Sequence, residues 1–180
     1  VDARIVESSL PVRAIMLQVD LVEKLQLRLR TGIDPPTVAR MSQPVYAVRR
    51  RFDLPDLTTS RYATVEDLDQ LVPACAAMHK EEVGIDPLER DSAGYRERIK
   101  ELIDRKRAIV QIEEGLIASK CEFSAVSDDA VQLMGVWPHP QFRRRGLSRA
   151  TIRAVCGHLF SRGQQLTLLA PAFNAPARSP

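Results

Sequence analysis

The chain has 180 residues, of which 44% are apolar and 27% are charged, and its formal net charge at pH 7 is +3. This balance is typical of a folded globular protein rather than a disordered chain, and so small a positive charge does not require a nucleic-acid partner. No apolar stretch approaches the roughly 20 residues that cross a bilayer, and the N-terminus carries no export pattern. We therefore expect one main domain in the cytoplasm.

The cysteines and histidines predict neither a disulfide framework nor a metal site. The three cysteines, Cys75, Cys121 and Cys156, are far apart and have no C-x-x-C spacing. The three histidines are scattered along the chain and lack the spacing of metal ligands. We expect no bound metal, and we interpret the cysteines as small core residues.

Residues 1–59 are weakly patterned. A helix is predicted near residues 18–30, and a short apolar run at Val45–Val48 is followed by three arginines at 49–51. The stretch "RFDLPDLTT" is typical of a linker. We predict a shortened N-terminal segment with its linker over residues 1–59 and a second domain over residues 60–180.

From residue 60 onward the pattern is regular. A short strand precedes Thr64, which is a predicted helix N-cap, with Asp67 three positions later in place of the usual Glu or Gln of a capping box. The apolar stripe of the first helix consists of Leu68, Leu71, Val72, Cys75 and Ala76. A second amphipathic helix is predicted over residues 92–105.

Three antiparallel strands are predicted next, over residues 107–112, 116–126 and 131–137. A helix over 147–162 and a strand over 165–170 follow, and the crossover through the helix predicts that this last strand lies parallel to the strand at 131–137. The element order predicts an α+β sandwich, with a mixed, mostly antiparallel sheet flanked by helices.

The stretch "WPHPQFRRRGLSRA", residues 137–150, joins a strand to a helix. A helix N-terminus exposes unpaired N–H groups and therefore binds anions, and Gly146 lets a phosphate approach the backbone. Three neighbouring arginines add guanidinium groups that pair well with phosphate, while Val136 can offer its N–H and C=O groups to an amide-containing ligand. Phosphates at the helix and amides along the strand together predict coenzyme A.

These residues resemble the Q/R-x-x-G-x-G/A signature of the GCN5-related N-acetyltransferase (GNAT) family, here "RRRGLS" at 143–148 after "GVWPHPQF". The resemblance covers about residues 60–176 and implies acetyl-CoA as the acyl donor and a primary amine as the acceptor. It implies that backbone N–H groups at 144–149 hold the diphosphate and that the Val136 N–H polarises the acetyl carbonyl. The implied cofactor-binding residues are Val136, Trp137, Pro138, Arg143, Arg144, Arg145, Gly146, Leu147, Ser148, Arg149 and Asn174.

A finer resemblance concerns "LDQLVPACAAMHKEEVG", which is similar to an actinobacterial GNAT subgroup that carries an extra N-terminal domain of unknown function. It implies that residues 1–59 are a shortened form of that domain.

The sequence departs from the family pattern at three places. Pro138 lacks the N–H that would bond the pantetheine arm, and Ser148 stands where Gly or Ala is usual. The family pattern continues with a tyrosine-bearing helix and final strands after the last residues given, and we expect the general acid that this tyrosine supplies to be absent here. The strand at 165–170 would then have an unpaired apolar edge that invites self-association or a partner strand.

Glu122 is a candidate general base that lines the substrate cleft, and the competing interpretation is an exposed strand residue. Glu81 and Glu82 are interpreted as solvated, His139 as a turn residue, His158 as a core histidine and Trp137 as a core residue. The main functional hypothesis is an N-acetyltransferase that acts by direct attack in a ternary complex. The alternatives are a non-catalytic CoA-binding relative and, last, a nucleic-acid binder that uses the arginine clusters.

Overall fold

The computed structural model describes residues 45–48 and 59–169, and within them six strands form one sheet that three helices flank. The strands are β1 (Val45–Val48), β2 (Ser60–Tyr62), β3 (Ala108–Glu113), β4 (Leu116–Val126), β5 (Ala130–Pro138) and β6 (Gln165–Leu169). The helices are α1 (Leu68–Val83), α2 (Pro87–Asp104) and α3 (Leu147–Ser161), and single 3-10 turns cover Val65–Asp67 and Pro140–Phe142.

The strand order in the sheet is β1-β6-β5-β4-β3-β2. All neighbouring strands run antiparallel except β5 and β6, which run parallel. The predicted mixed, mostly antiparallel sheet is therefore confirmed, and so is the parallel relation of the two strands that the α3 crossover joins.

The helices cover both faces of the sheet, as the two apolar clusters show. Ala108 and Val110 of β3 pack in a cluster with residues of α1 and α2, whereas Ile109 between them packs in the cluster that contains α3 residues. This alternation is the period of two that a strand buried on both faces requires. The two faces consequently have different chemistry, and both contribute to the candidate site.

Local sequence signals account for the start of α1. The N–H of Thr64 donates to the Asp67 carboxylate at 2.8 Å, which completes the predicted capping box. Arg61 donates two hydrogen bonds to the same carboxylate, at 2.6 and 2.8 Å. All five residues of the predicted apolar stripe of α1 are buried.

Helix α2 begins five residues earlier than predicted. Asp86 caps it by accepting a hydrogen bond from the Leu88 N–H, and Pro87 occupies the first helical position, where its missing N–H costs nothing. Asp91 has non-helical backbone angles, so the chain kinks immediately before residue 92. The predicted start at residue 92 therefore coincides with this kink and not with the first residue of α2, Pro87.

The expected free edge of the strand at 165–170 is corrected by the pairing of β1. Val45 to Val48 run antiparallel to β6, with Val45 opposite Leu169, so β6 has a neighbour on each side.

The compact unit that holds all described residues spans Val45–Leu169 and begins before the predicted boundary at 59/60. The predicted helix near residues 18–30, the arginines at 49–51 and Asn174 lie outside the described residues. None of the described helices combines the length and apolarity needed to cross a bilayer.

Candidate functional site

The site is organised around a bulge in β5. Lys120 of β4 lies opposite Trp137, but Glu122, two residues further along β4, lies opposite Met134, three residues back along β5. Two β5 residues, at positions 135 and 136, therefore share the place opposite one β4 residue. A bulge of this kind leaves one residue outside the ladder and re-aims the backbone around it.

Within the described residues, the pairing of β5 with its other neighbour covers only part of the strand. The register with β6 runs from Ala130 to Leu133, while β5 itself continues to Pro138. The side chain of Val136 packs against the apolar cluster that contains α3 residues. A bulged strand segment of this kind can offer main-chain groups to an amide-containing ligand.

The connector between β5 and α3 ends in a turn with two left-handed residues. Arg144 has φ +64° and Gly146 has φ +78°, so left-handed residues flank Arg145 directly before the helix. Such turns direct successive N–H groups toward one side, forming a nest for anions. The first helical hydrogen bond runs from the Ala150 N–H to the Gly146 carbonyl, which leaves the N–H groups of 147–149 without intrahelical acceptors. The predicted phosphate cradle therefore has a suitable backbone conformation.

Space around Gly146 is open, because a Cβ built there meets no atom within 4 Å. The glycine is thus needed for its backbone angle and leaves the cradle accessible to a bulky anion.

The three consecutive arginines do not act as one cluster. Arg143 donates through one terminal nitrogen to both oxygens of Glu81, at 2.6 and 2.8 Å, and through Nε to the Pro138 carbonyl. Arg145 lies over the Phe142 ring at 5.3 Å from its centroid. Arg143 is predicted to bind the phosphates, but its guanidinium already has a carboxylate partner in Glu81.

Glu81 connects the end of α1 to this connector. It accepts hydrogen bonds from Arg143 and, at 3.3 Å, from Trp137 Nε1. Its side chain is 48% exposed, so the predicted solvated glutamate is instead a half-exposed ion-pair partner. The Trp137 ring itself is buried with Ala74 and Met78, which confirms its interpretation as a core residue.

Ser148 and His139, on either side of the arginines, both have local partners. The Ser148 hydroxyl lies 3.4 Å from that of Ser119 in β4, so this small residue fits at the start of α3. His139 accepts a hydrogen bond from the Gln141 N–H, donates its own N–H to the Ala118 carbonyl and has its ring beside Phe142. His139 is therefore a turn and capping residue, as predicted.

Glu122 is neither exposed nor open to a cleft. Its residue surface is 4% exposed, and its carboxylate is ion-paired with Lys120, which is 0% exposed. The Cys75 thiol of α1 donates to the same carboxylate at 3.3 Å, and Lys120 Nζ lies 3.2 Å from the Met78 sulfur. The interpretation of Glu122 as an exposed strand residue is wrong. Its role as a general base stays a prediction, although a base must reach the proton that it removes.

The pKa values of these neighbours follow from burial and pairing. Burial raises the pKa of the Cys75 thiol to about 12, so the thiol is protonated at neutral pH. Burial, the largest single cause, acts to lower the pKa of Lys120, but the attraction and hydrogen bond of Glu122 together with the contacts of Cys75 outweigh it, and the pKa lies above its ordinary value. Lys120 is therefore an ammonium, and its ion-pair partner is Glu122.

The sequence indicated only part of this cluster. The i, i+2 spacing of Lys120 and Glu122 places both on one face of β4. The missed partners, Cys75 and Met78, come from α1, and no local pattern indicates which helix residues meet the strand.

No protein-family model matches the sequence, and no curated protein matches it significantly. Solved structures do match. A GNAT-family acetyltransferase from Colwellia psychrerythraea superposes with a TM-score of 0.57 and 15% identity, over 76% of this chain and 48% of that one. The described chain has the GNAT fold.

Two further GNAT structures match over most of their own length. A GCN5-related N-acetyltransferase from Ralstonia eutropha gives a TM-score of 0.52 with 20% identity, over 67% of this chain and 92% of that one. The PaiA N-acetyltransferase from Thermoplasma acidophilum, in complex with coenzyme A, gives 0.54 with 14% identity, over 66% and 82%. This chain spans about half the length of the Colwellia protein. The likeness to these GNAT structures concerns the fold.

Proposed function

We propose that this chain is a cytoplasmic GNAT-type N-acetyltransferase that transfers an acetyl group from acetyl-CoA to a primary amine, with both substrates bound at once. The observation that carries the proposal is the left-handed turn at Arg144 and Gly146, which opens α3 directly after a bulged strand. The turn suits a diphosphate, and the unpaired bulge suits an amide arm and a thioester carbonyl. The GNAT fold of the chain supports the same assignment.

The proposed donor site uses mainly backbone groups. The N–H groups of residues 144–149 hold the diphosphate, and the exposed side chains of Arg144 and Arg149 add positive charge. The Val136 N–H donates to the thioester carbonyl oxygen, where negative charge develops. Acetyl-CoA, when bound, supplies an acetyl thioester that is open to attack by an amine. By the family resemblance, Asn174 is a further residue that binds the cofactor.

The amine must lose a proton before it attacks, and Glu122 is a poor acceptor because it is buried in an ion pair. We propose that the proton passes, directly or through water, to a half-exposed carboxylate at the C-terminal end of α1. Glu81 is the nearer candidate to the bulge because it already accepts a hydrogen bond from Trp137. The acceptor is a small amine, a protein lysine or an N-terminal amine.

The remaining sequence hypotheses stand as follows. Membership of the actinobacterial subgroup, with residues 1–59 as a shortened extra domain, is proposed on sequence resemblance alone. Self-association through a free sheet edge would use β1, since β1 and not β6 is the outer strand of the described sheet on that side. A nucleic-acid partner is not proposed.

The decisive experiment compares two glycines with the same backbone. Gly146 and Gly163 both have φ +78° and open space at Cβ, but only Gly146 lies in the cradle. Alanine at either position adds a left-handed residue that costs about 1–2 kcal/mol. We expect Gly146→Ala to weaken CoA binding at least about tenfold by calorimetry, whereas Gly163→Ala leaves it unchanged. Equal affinities in both variants would contradict the site.

Activity is tested separately from binding. Release of free thiol from acetyl-CoA should depend on an added primary amine, measured over a panel of small amines and lysine peptides. Binding of CoA with no amine-dependent release by any acceptor would favour the non-catalytic relative.

A further inference from the structure

The buried Lys120–Glu122 pair lies directly against the β5 bulge. A Cβ built on Gly135 would stand 2.9 Å from Glu122 Oε1 and 3.2 Å from Lys120 Nζ. Real Cβ atoms essentially never approach another atom to 2.9 Å, so a side chain at this position would require the charged ends of the pair to shift. Gly135 also has φ +59°, an angle that favours glycine. Glycine is therefore favoured here for two reasons, and the ion pair supplies one of them.

The pair is itself held on several sides. Cys75 and Met78 of α1 contact it from the helix face, at 3.3 and 3.2 Å, and β4 carries both charged side chains. The charged groups thus connect α1, β4 and the β5 bulge at one point.

Stability alone does not explain charges at this position. A buried ion pair replaced by well-packed apolar residues of similar volume is often as stable or more stable. A buried pair does differ from apolar side chains in having a directional contact, which fixes the relative positions of the groups that make it. The pair lies beside the backbone at Gly135, which continues into the proposed carbonyl donor, Val136.

We propose that Lys120 and Glu122 are positioning residues that hold the Gly135–Val136 bulge in the conformation that aims the Val136 N–H. The positioning is a property of the unliganded chain, and its meaning for acetyl transfer rests on the proposed function. Neither side chain touches the reacting atoms, so neither is a catalytic residue in this role.

The first test replaces the pair with neutral side chains of similar shape, in the double variant Lys120→Met with Glu122→Gln. We expect amide hydrogen exchange at Val136 to accelerate at least tenfold and its amide NMR signal to shift. We expect the Kd for acetyl-CoA to rise about tenfold, while the Kd for CoA without the acetyl group changes less than twofold. The matched control is Arg96→Met with Asp69→Asn, an exposed pair that joins α2 to α1 and should leave all these values unchanged.

The second test is a double-mutant cycle at Gly135. Gly84 has φ +78° and open space at Cβ, so Gly84→Ala measures the cost of the backbone angle alone. We expect Gly135→Ala to lower the melting temperature clearly more than Gly84→Ala does in the natural chain. In a Lys120→Met, Glu122→Ala background, the effect of Gly135→Ala should fall to that of Gly84→Ala, because the space is then free.

The outcomes separate the two proposals. An unaltered Val136 amide in the neutral double variant, or equal effects of Gly135→Ala and Gly84→Ala in the natural chain, would overturn the positioning role. Failure of the natural chain to bind CoA would overturn the proposed function, yet the amide and melting measurements would still decide the positioning. A change in both CoA and acetyl-CoA affinity by the same factor would show a general loss of structure and would also overturn it.

Discussion

Two ion pairs of the described residues lie beside the candidate site. Each joins a basic side chain to a glutamate, but one is buried and the other is exposed. Lys120 and Glu122 are shut away from solvent between β4 and α1, whereas the side chains of Arg143 and Glu81 are 41% and 48% exposed. Water screens the second pair and is excluded from the first. Breaking the buried pair should therefore lower the free energy of unfolding strongly, whereas the exposed pair chiefly orients the groups that it joins.

The largest effect is expected when one partner of the buried pair is removed. Glu122→Gln leaves the Lys120 ammonium buried without a counter-charge, which should reduce the free energy of unfolding by about 3–5 kcal/mol. Urea titration measures this, and the neutral double variant Lys120→Met, Glu122→Gln should recover most of the loss. A loss below about 1 kcal/mol in the single variant would mean that Lys120 reaches solvent.

An intermediate effect is expected at the Arg61–Asp67 pair, in which the aspartate is buried and the arginine is half exposed. Asp67→Asn removes the charge that Arg61 and the Thr64 N–H bind, so unfolding free energy at neutral pH should fall by about 1–2 kcal/mol. The exposed Asp69→Asn change serves as the control and should cost a few tenths of a kcal/mol at most.

The same aspartate gives a pH dependence of known sign. The hydrogen bond from Arg61 holds the pKa of Asp67 below its ordinary value, although burial opposes this. Because the folded-state pKa is depressed, this stabilisation is complete above about pH 4 and is lost as the pH falls through the folded-state value. Asp67→Asn should flatten the acid limb of a stability–pH curve relative to Asp69→Asn. Parallel curves for the two variants would contradict the assignment.

The exposed pair should matter little for stability. Arg143→Gln is expected to change the free energy of unfolding by less than about 1 kcal/mol, since solvent replaces the lost partner at Glu81. Thermal unfolding at low and high salt measures this. A larger loss would mean that the Arg143 bond to the Pro138 carbonyl supports the connector.

The smallest effect concerns affinity for the proposed donor. Glu81→Gln releases Arg143 from its carboxylate, so CoA should bind about twofold to threefold more tightly, a change of about 0.5 kcal/mol. Calorimetry with CoA measures it, and Glu82→Gln, one residue further along α1, is the control. Weaker binding in Glu81→Gln would show that Glu81 orients the connector for the phosphates.

Local patterns predicted most of the fold. The bounds of β4 match the predicted strand, and α3 begins at the predicted residue because apolar periodicity and a glycine mark it. The capping box at Thr64 and Asp67 is confirmed for the same reason, since both partners lie within one turn. The predicted helix at 92–105 omits the segment Pro87–Asp91, which precedes the kink at Asp91.

The site was harder to predict than the fold. The anion-binding turn at Gly146 follows from local residue types, and the sequence indicated it. The directions of Arg143 and Glu122 depend on α1 side chains that lie at least 40 positions away, and no local rule encodes them. The bulge at residues 135 and 136 lies beside a charged pair on the neighbouring strand, and periodicity does not indicate this contact.

The pairing of β1 with β6 joins positions 45 and 169, so the outermost ladder on this side links segments from opposite ends of the compact unit. A contact between such distant positions carries a large loop-closure cost and forms slowly. During synthesis β1 emerges long before its partner does, and this rim can assemble only after α3 has been made. Closure of the rim is therefore expected to be a late event in folding, and destabilising β1 should mainly accelerate unfolding rather than slow refolding.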